Sequence, residues 1–89
     1  MNLLHFIGSF HVEIAKRLDA VESAGETNGY MEWVNGRVKN VELYFLWFPK
    51  ARRLVYIIKG PGVRKEGEVE TKGLLDAIAY AERLIQQIP

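Results

Sequence analysis

The run VELYFLWFPKARRLVYII, residues 41–58, constrains the fold more than any other part of the chain. A strand sends successive side chains to opposite faces, so a sheet wetted on one side carries apolar residues only at every second position. Here both alternating sets are apolar, and neither face of a sheet built on this run reads as a solvent face. Pro49, Lys50, Ala51 and Arg52 form the turn of a hairpin. Whether the loop takes two residues or four, paired residue numbers sum to 101. Phe45 then faces Tyr56, Leu46 faces Val55 and Glu42 faces Lys59, the last a charge match.

A second hairpin is predicted upstream. In YMEWVNGRVKNV, Asn35-Gly36 separates two runs of strand formers, the sequence signal of a two-residue type I′ turn. Its register pairs Glu32 with Lys39 and Trp33 with Val38. Downstream, KGPGVRKEG reads as a long turn, and GEVET as a short fourth strand whose charges blunt the sheet edge.

The ends read as helices. Leu3, Ile7, Phe10, Ile14, Leu18 and Val21 recur at steps of three and four, predicting a helix over residues 2–23. Asn2 is its N-cap and Gly25 its stop, with Gly8 a weak point and a short strand over 3–7 the competing reading. Leu74, Ile78, Ala81, Ile85 and Ile88 predict a second helix, running from Thr71 or Lys72 to Ile88 and capped by Thr71. The expected fold is a single α+β domain over 1–89. It is a three- to four-stranded antiparallel meander flanked by N- and C-terminal helices, α-β-β-β-(β)-α. This element order resembles that of double-stranded-RNA-binding domains, although their lysine-rich start to the last helix is replaced here by TKGLLDA, with Lys72 followed by Asp76.

These registers divide the strand side chains between two faces. One carries Tyr30, Val34, Val41, Leu43, Phe45, Trp47, Leu54, Tyr56 and Ile58, with Glu32, Arg37 and Lys39 at one end. The other carries Met31, Trp33, Val38, Tyr44, Leu46, Phe48, Val55 and Ile57, with Asn40, Glu42, Arg53 and Lys59 among them. Antiparallel α+β folds segregate helices to one face, so both helices are expected on the same side of the sheet, with a sandwich of one helix on each side as the competing arrangement. The other side is left with an apolar, aromatic patch larger than monomers usually leave bare.

Composition narrows the chemistry. The 89 residues include no cysteine, which removes disulfides and thiolate metal sites. His5 and His11 lack the i, i+4 spacing of a two-histidine metal site. Ser9, His11 and Glu13 are two apart, which on a helix points them away from one another. No catalytic, cofactor-binding or metal-binding set is therefore expected. The first residues lack the pattern of a signal peptide, and no apolar run reaches the ~20 residues of a spanning helix. A soluble, cytoplasmic protein without membrane contact is the expectation.

Net charge is +1, yet residues 37–65 hold eight bases against Glu42 alone, a local +7, and the remainder carries −6. Arg37, Lys50, Arg52, Arg53, Arg64 and Lys65 beside sheet aromatics make up the pattern of a single-stranded nucleic-acid binder. The leading expectation is nevertheless a non-catalytic interaction module. It acts as a homodimer, or on another protein, through Met31, Trp33, Tyr44, Leu46, Phe48, Val55 and Ile57. Aromatics and Met are enriched at such interfaces. Nucleic-acid binding by the basic hairpin is the alternative. A third reading is a small-molecule binder or enzyme, with Trp33, Trp47, Tyr30 and Tyr56 lining a pocket and His11 with Glu13 as its titratable groups.

Overall fold

The computed structural model describes residues 9–89. A short helix α1 (Phe10–Ala15) precedes strands β1 (Ala20–Thr27), β2 (Met31–Val38), β3 (Val41–Phe48), β4 (Arg53–Gly60) and β5 (Val63–Glu70), and helix α2 (Leu74–Gln86) closes the chain. The strands form one antiparallel sheet in chain order. The sheet thus has five strands rather than three or four, which also takes the chain away from the three-stranded order of the RNA-binding domains.

The central hairpin has the expected register: Glu42 faces Lys59, Phe45 faces Tyr56 and Leu46 faces Val55. The first hairpin does not. Asn35 and Gly36 lie inside β2, opposite Tyr44 and Leu43, and the chain turns instead at Lys39 and Asn40. Lys39 adopts a left-handed conformation (φ 58°). Its N–H donates to the Asp19 carboxylate at 2.7 Å, which braces the turn. Glu32 therefore faces Trp47 rather than Lys39, and Arg37 faces Glu42.

Glycine at position 36 serves packing rather than turning. A Cβ built there lies 2.0 Å from the Ala20 carbonyl oxygen and 3.0 Å from Leu18 Cδ1. The β1–β2 register shifts between Val21 and Ser23, with Val21 opposite Gly36. Glycine within a strand marks a bulge or a close backbone approach, and here it marks both.

Strand β1 occupies residues expected to complete the first helix, so Gly25 is a strand residue, not a helix stop. All of β1 but Gly25 is exposed. An edge strand with no buried alternation gives no periodic signal, and its pairing with β2 decides its conformation. The expected start of that helix, with Asn2, Leu3, His5, Ile7 and Gly8, lies outside the described residues. Strand β5 likewise extends over eight residues, leaving Pro61 and Gly62 as the turn.

Helix α2 is capped at Gly73 without a side-chain bond. The Thr71 hydroxyl lies 3.2 Å from the carbonyl oxygens of Arg52 and Gly73, so Thr71 ties the helix entry to the β3–β4 turn instead of capping it.

One alternating set of the sheet forms the core. Val34, Val41, Leu43, Phe45, Trp47, Leu54 and Ile58 are buried together with Phe10 and Ile14 of α1 and Ala77, Ile78, Ala81 and Leu84 of α2. Both helices thus cover the same face. Phe10 stacks on Trp47 with centroids 5.9 Å apart and meets Phe45 edge-on at 6.3 Å. The revised β2–β3 register moves Val38 to this face, opposite Val41, and moves Arg37 to the other. Tyr30 belongs to neither: it lies in the β1–β2 turn, 70% exposed, with Lys50 Nζ 5.7 Å from its ring centroid.

Arg17 clasps the helices together. Its Nε donates to Glu82 of α2 at 2.6 Å and its Nη1 to the Glu13 carbonyl at 2.6 Å. The hydrogen bond to Glu82 raises the guanidinium pKa above its ordinary value, against the opposing effect of burial. Among the described residues, no helix is long and apolar enough to cross a membrane.

Candidate interaction surface

The sheet face opposite the helices can be built row by row from the registers. One end row is Arg37, Glu42, Lys59 and Arg64. The next is Ser23, Asn35, Tyr44, Ile57 and Glu66. The third is Gly25, Trp33, Leu46, Val55 and Glu68. At the far end lie Thr27 with Met31, and Phe48 with Arg53 and Glu70. All seven residues expected on this surface are on it: Met31, Trp33, Tyr44, Leu46, Phe48, Val55 and Ile57. Each is half-buried by its neighbours. No helix among the described residues covers them.

The surface has relief. Trp33 leans toward the sheet edge over β1, where its Nε1 donates to Ser23 Oγ at 3.1 Å. A Cβ on Gly25 would sit 2.9 Å from the indole, so glycine there is what lets the ring lie flat. Between that ring and Tyr44 and Leu46 runs an apolar groove of about 250 Å³. On its far side Tyr44 carries Lys59 Nζ 5.9 Å from its ring centroid.

The charges of this face lie around the apolar rows rather than among them. Arg37, Arg53, Lys59 and Arg64 are balanced by Glu42, Glu66, Glu68 and Glu70, so the face has no net charge. Arg53 Nη1 stands 3.4 Å from Glu68, and Arg64 Nη2 3.8 Å from Glu66. The glutamates of β5 were not anticipated as part of this surface, although their spacing of two in EGEVE puts them on one side of a strand.

The six bases proposed for nucleic acid do not converge. Arg37 and Arg64 share one end row, whereas Lys50, Arg52 and Arg53 belong to the turn and strand start at the opposite end. Lys59 and Arg53, six residues apart on β4, mark a separation of about 20 Å. Lys65 lies on the helix side, donating to Gln87 Oε1 at 3.1 Å. The segregation of charge along the chain is folded back on itself when acidic β5 pairs with basic β4.

The expected pocket residues are also dispersed. Trp33 is on the open face, Trp47 is in the core at 2% exposure, Tyr30 is in a turn and Tyr56 is on the helix side. His11 pairs not with Glu13 but with Glu32, whose Oε1 lies 2.6 Å from Nδ1 and 3.0 Å from the His11 backbone nitrogen. Glu32 is buried on the helix-covered face and accepts one of the orphan N–H groups at the start of α1. Ser9 Oγ also approaches Nδ1, at 3.2 Å. A serine relay needs hydroxyl and carboxylate on different ring nitrogens, and here both crowd the same one. The arrangement is a cap reaching across 21 residues. Glu32→Ala should therefore destabilise the fold by about 1–3 kcal/mol, the usual cost of leaving buried donors unpaired. Urea denaturation measures this, and an unchanged midpoint would remove the capping role.

Among the described residues, no three histidine, aspartate or glutamate side chains gather at metal-binding distance. No protein-family model, curated protein or solved structure gives a significant match to this chain.

Proposed function

We propose that this chain is a small interaction module whose open sheet face pairs with a second copy of itself. The observation that carries this reading is a sheet with apolar side chains on both faces and, among the described residues, helices on only one. A second copy suits the face better than a nucleic acid does, because the four acids and four bases leave it neutral. It also fits the usual anatomy of an interface, with an apolar centre and a hydrated, charged rim. A two-fold operation lays that centre on its own image, which is how isologous dimers close.

Light scattering over a concentration series tests the proposal. The chain should show twice the mass of one copy, and Tyr44→Glu with Leu46→Glu should shift it to the single mass with its circular dichroism retained. A chain that stays at the single mass at high concentration would sink the idea. So would a double variant that unfolds, since that would make these residues core.

A further inference from the structure

A second feature lies on the opposite side of the molecule and owes nothing to pairing between copies. Between β4, β5 and α2 there is a cleft of about 310 Å³ lined by Tyr56, Lys65, Tyr80, Arg83, Leu84 and Gln87. This is at the lower end of the volumes of small-molecule sites, roughly 300–1,000 Å³.

The lining is chemically one-sided. Among the described residues, no carboxylate side chain lines the cleft. Neither Lys65 nor Arg83 is in a salt bridge among the described residues. Glu82, the acid of α2 nearest in sequence to Arg83, is engaged by Arg17. Arg83 is held over the Tyr80 ring, 5.4 Å from its centroid, and Lys65 is held by Gln87 at 3.1 Å. Both cations are thus positioned without being neutralised. The Tyr56 and Tyr80 rings stand 6.1 Å apart. Burial, with Tyr80 beside it, raises the Tyr56 phenol above its ordinary pKa. Buried Leu84 gives an apolar wall, and a small notch beside it, lined by Ile58, Val63 and Ile88, continues that wall.

From this convergence we infer that the cleft binds a phosphate monoester carrying a small apolar or ring substituent. Two cations match the charge of −1.5 to −2 that such a group carries near pH 7, whereas a carboxylate would leave one cation unmatched. The phenols and the Gln87 amide supply donors for the phosphate oxygens. Leu84 gives the organic part an apolar contact that a bare phosphate would not make.

The experiment is an amide NMR titration of the full chain with phenyl phosphate, benzoate and inorganic phosphate. Phenyl phosphate should saturably shift Gly67, Leu84 and Gln87 and leave Trp33 and Leu46 unmoved. Lys65→Ala with Arg83→Ala, both exposed and so expected to fold normally, should weaken binding by about tenfold or more, since each loses a charged hydrogen bond. A phosphotyrosine peptide separates the sources: tighter binding than phenyl phosphate points to a phosphorylated chain, weaker binding to a free molecule. The inference is overturned by the absence of saturable shifts at millimolar phenyl phosphate, or by a double variant that binds equally well. Benzoate or inorganic phosphate binding as tightly as phenyl phosphate would overturn it too. Because the cleft and the open sheet face are on opposite sides, the same titration on the Tyr44→Glu, Leu46→Glu chain keeps this result separate from the question of dimerisation.

Discussion

Gly36→Ala is expected to cost about 3 kcal/mol, the upper end of what an added methyl does to a packed interior. The reason is the carbonyl of Ala20, which would lie 2.0 Å from the new Cβ. Backbone on a neighbouring strand cannot swing aside as a side chain can, so β1 must move away from β2 and take Leu18 with it. Asn35, beside it in the same strand, is the internal control. If Asn35-Gly36 were a turn, Asn35→Thr would be damaging, because a β-branched residue resists positive φ. In a strand interior it should be tolerated or mildly stabilising. Urea melts of the two variants decide the matter, and a Gly36→Ala chain with an unchanged midpoint would contradict the close approach.

Trp47→Ala should be the more damaging of the two changes, at about 3–5 kcal/mol. A small domain has only about 5–15 kcal/mol to lose, so this variant should sit at the margin of folding at room temperature. Trp47 is 2% exposed and stacked on Phe10, so its loss also releases α1 from the sheet. Thermal melting by far-ultraviolet circular dichroism measures the effect, and a loss below about 1 kcal/mol would be inconsistent with a buried ring. Trp47→Phe keeps part of the packing and leaves Trp33 as the sole indole. Its emission then reports on the open face, red-shifted when that face is wet and blue-shifted when a second copy covers it.

What could be read from residues alone followed the strength of local pattern. The β3–β4 register, the α2 stripe and the division of β3 and β4 between two faces were legible, because each rests on alternation or helical spacing within one segment. The five apolar residues that β3 and β4 give to the open surface were legible for the same reason. Met31 and Trp33, by contrast, were assigned to it through a register the structure overturns, and Val38, expected there, lies on the helix side. The Asn35-Gly36 signal misled because glycine has two uses in sheets. The dipeptide statistics describe its freedom at positive φ, whereas here a neighbouring strand needs the space its missing side chain leaves. Strand β1 was invisible because AVESAGET alternates nothing; it is a strand only because β2 lies beside it. The bond from Glu32 to the start of α1 was equally out of reach, since a capping side chain is sought next to its helix and not 21 residues away.

The strict chain order of the sheet has a consequence for how the molecule assembles. Successive strands are joined by loops of three, two, four and two residues, so every ladder can close by a short local step. Single hairpins form within about 1–10 μs, and each completed pair becomes the template for the next. The distant contacts are those of the two ends: Phe10 reaches Trp47, and Arg17 reaches Glu82 across 65 positions. Loop-closure entropy falls on those contacts, while the pairing of strands escapes most of it. A sheet of this kind can fold quickly for its β content, with the docking of both helices over its inner face as the step that commits the chain.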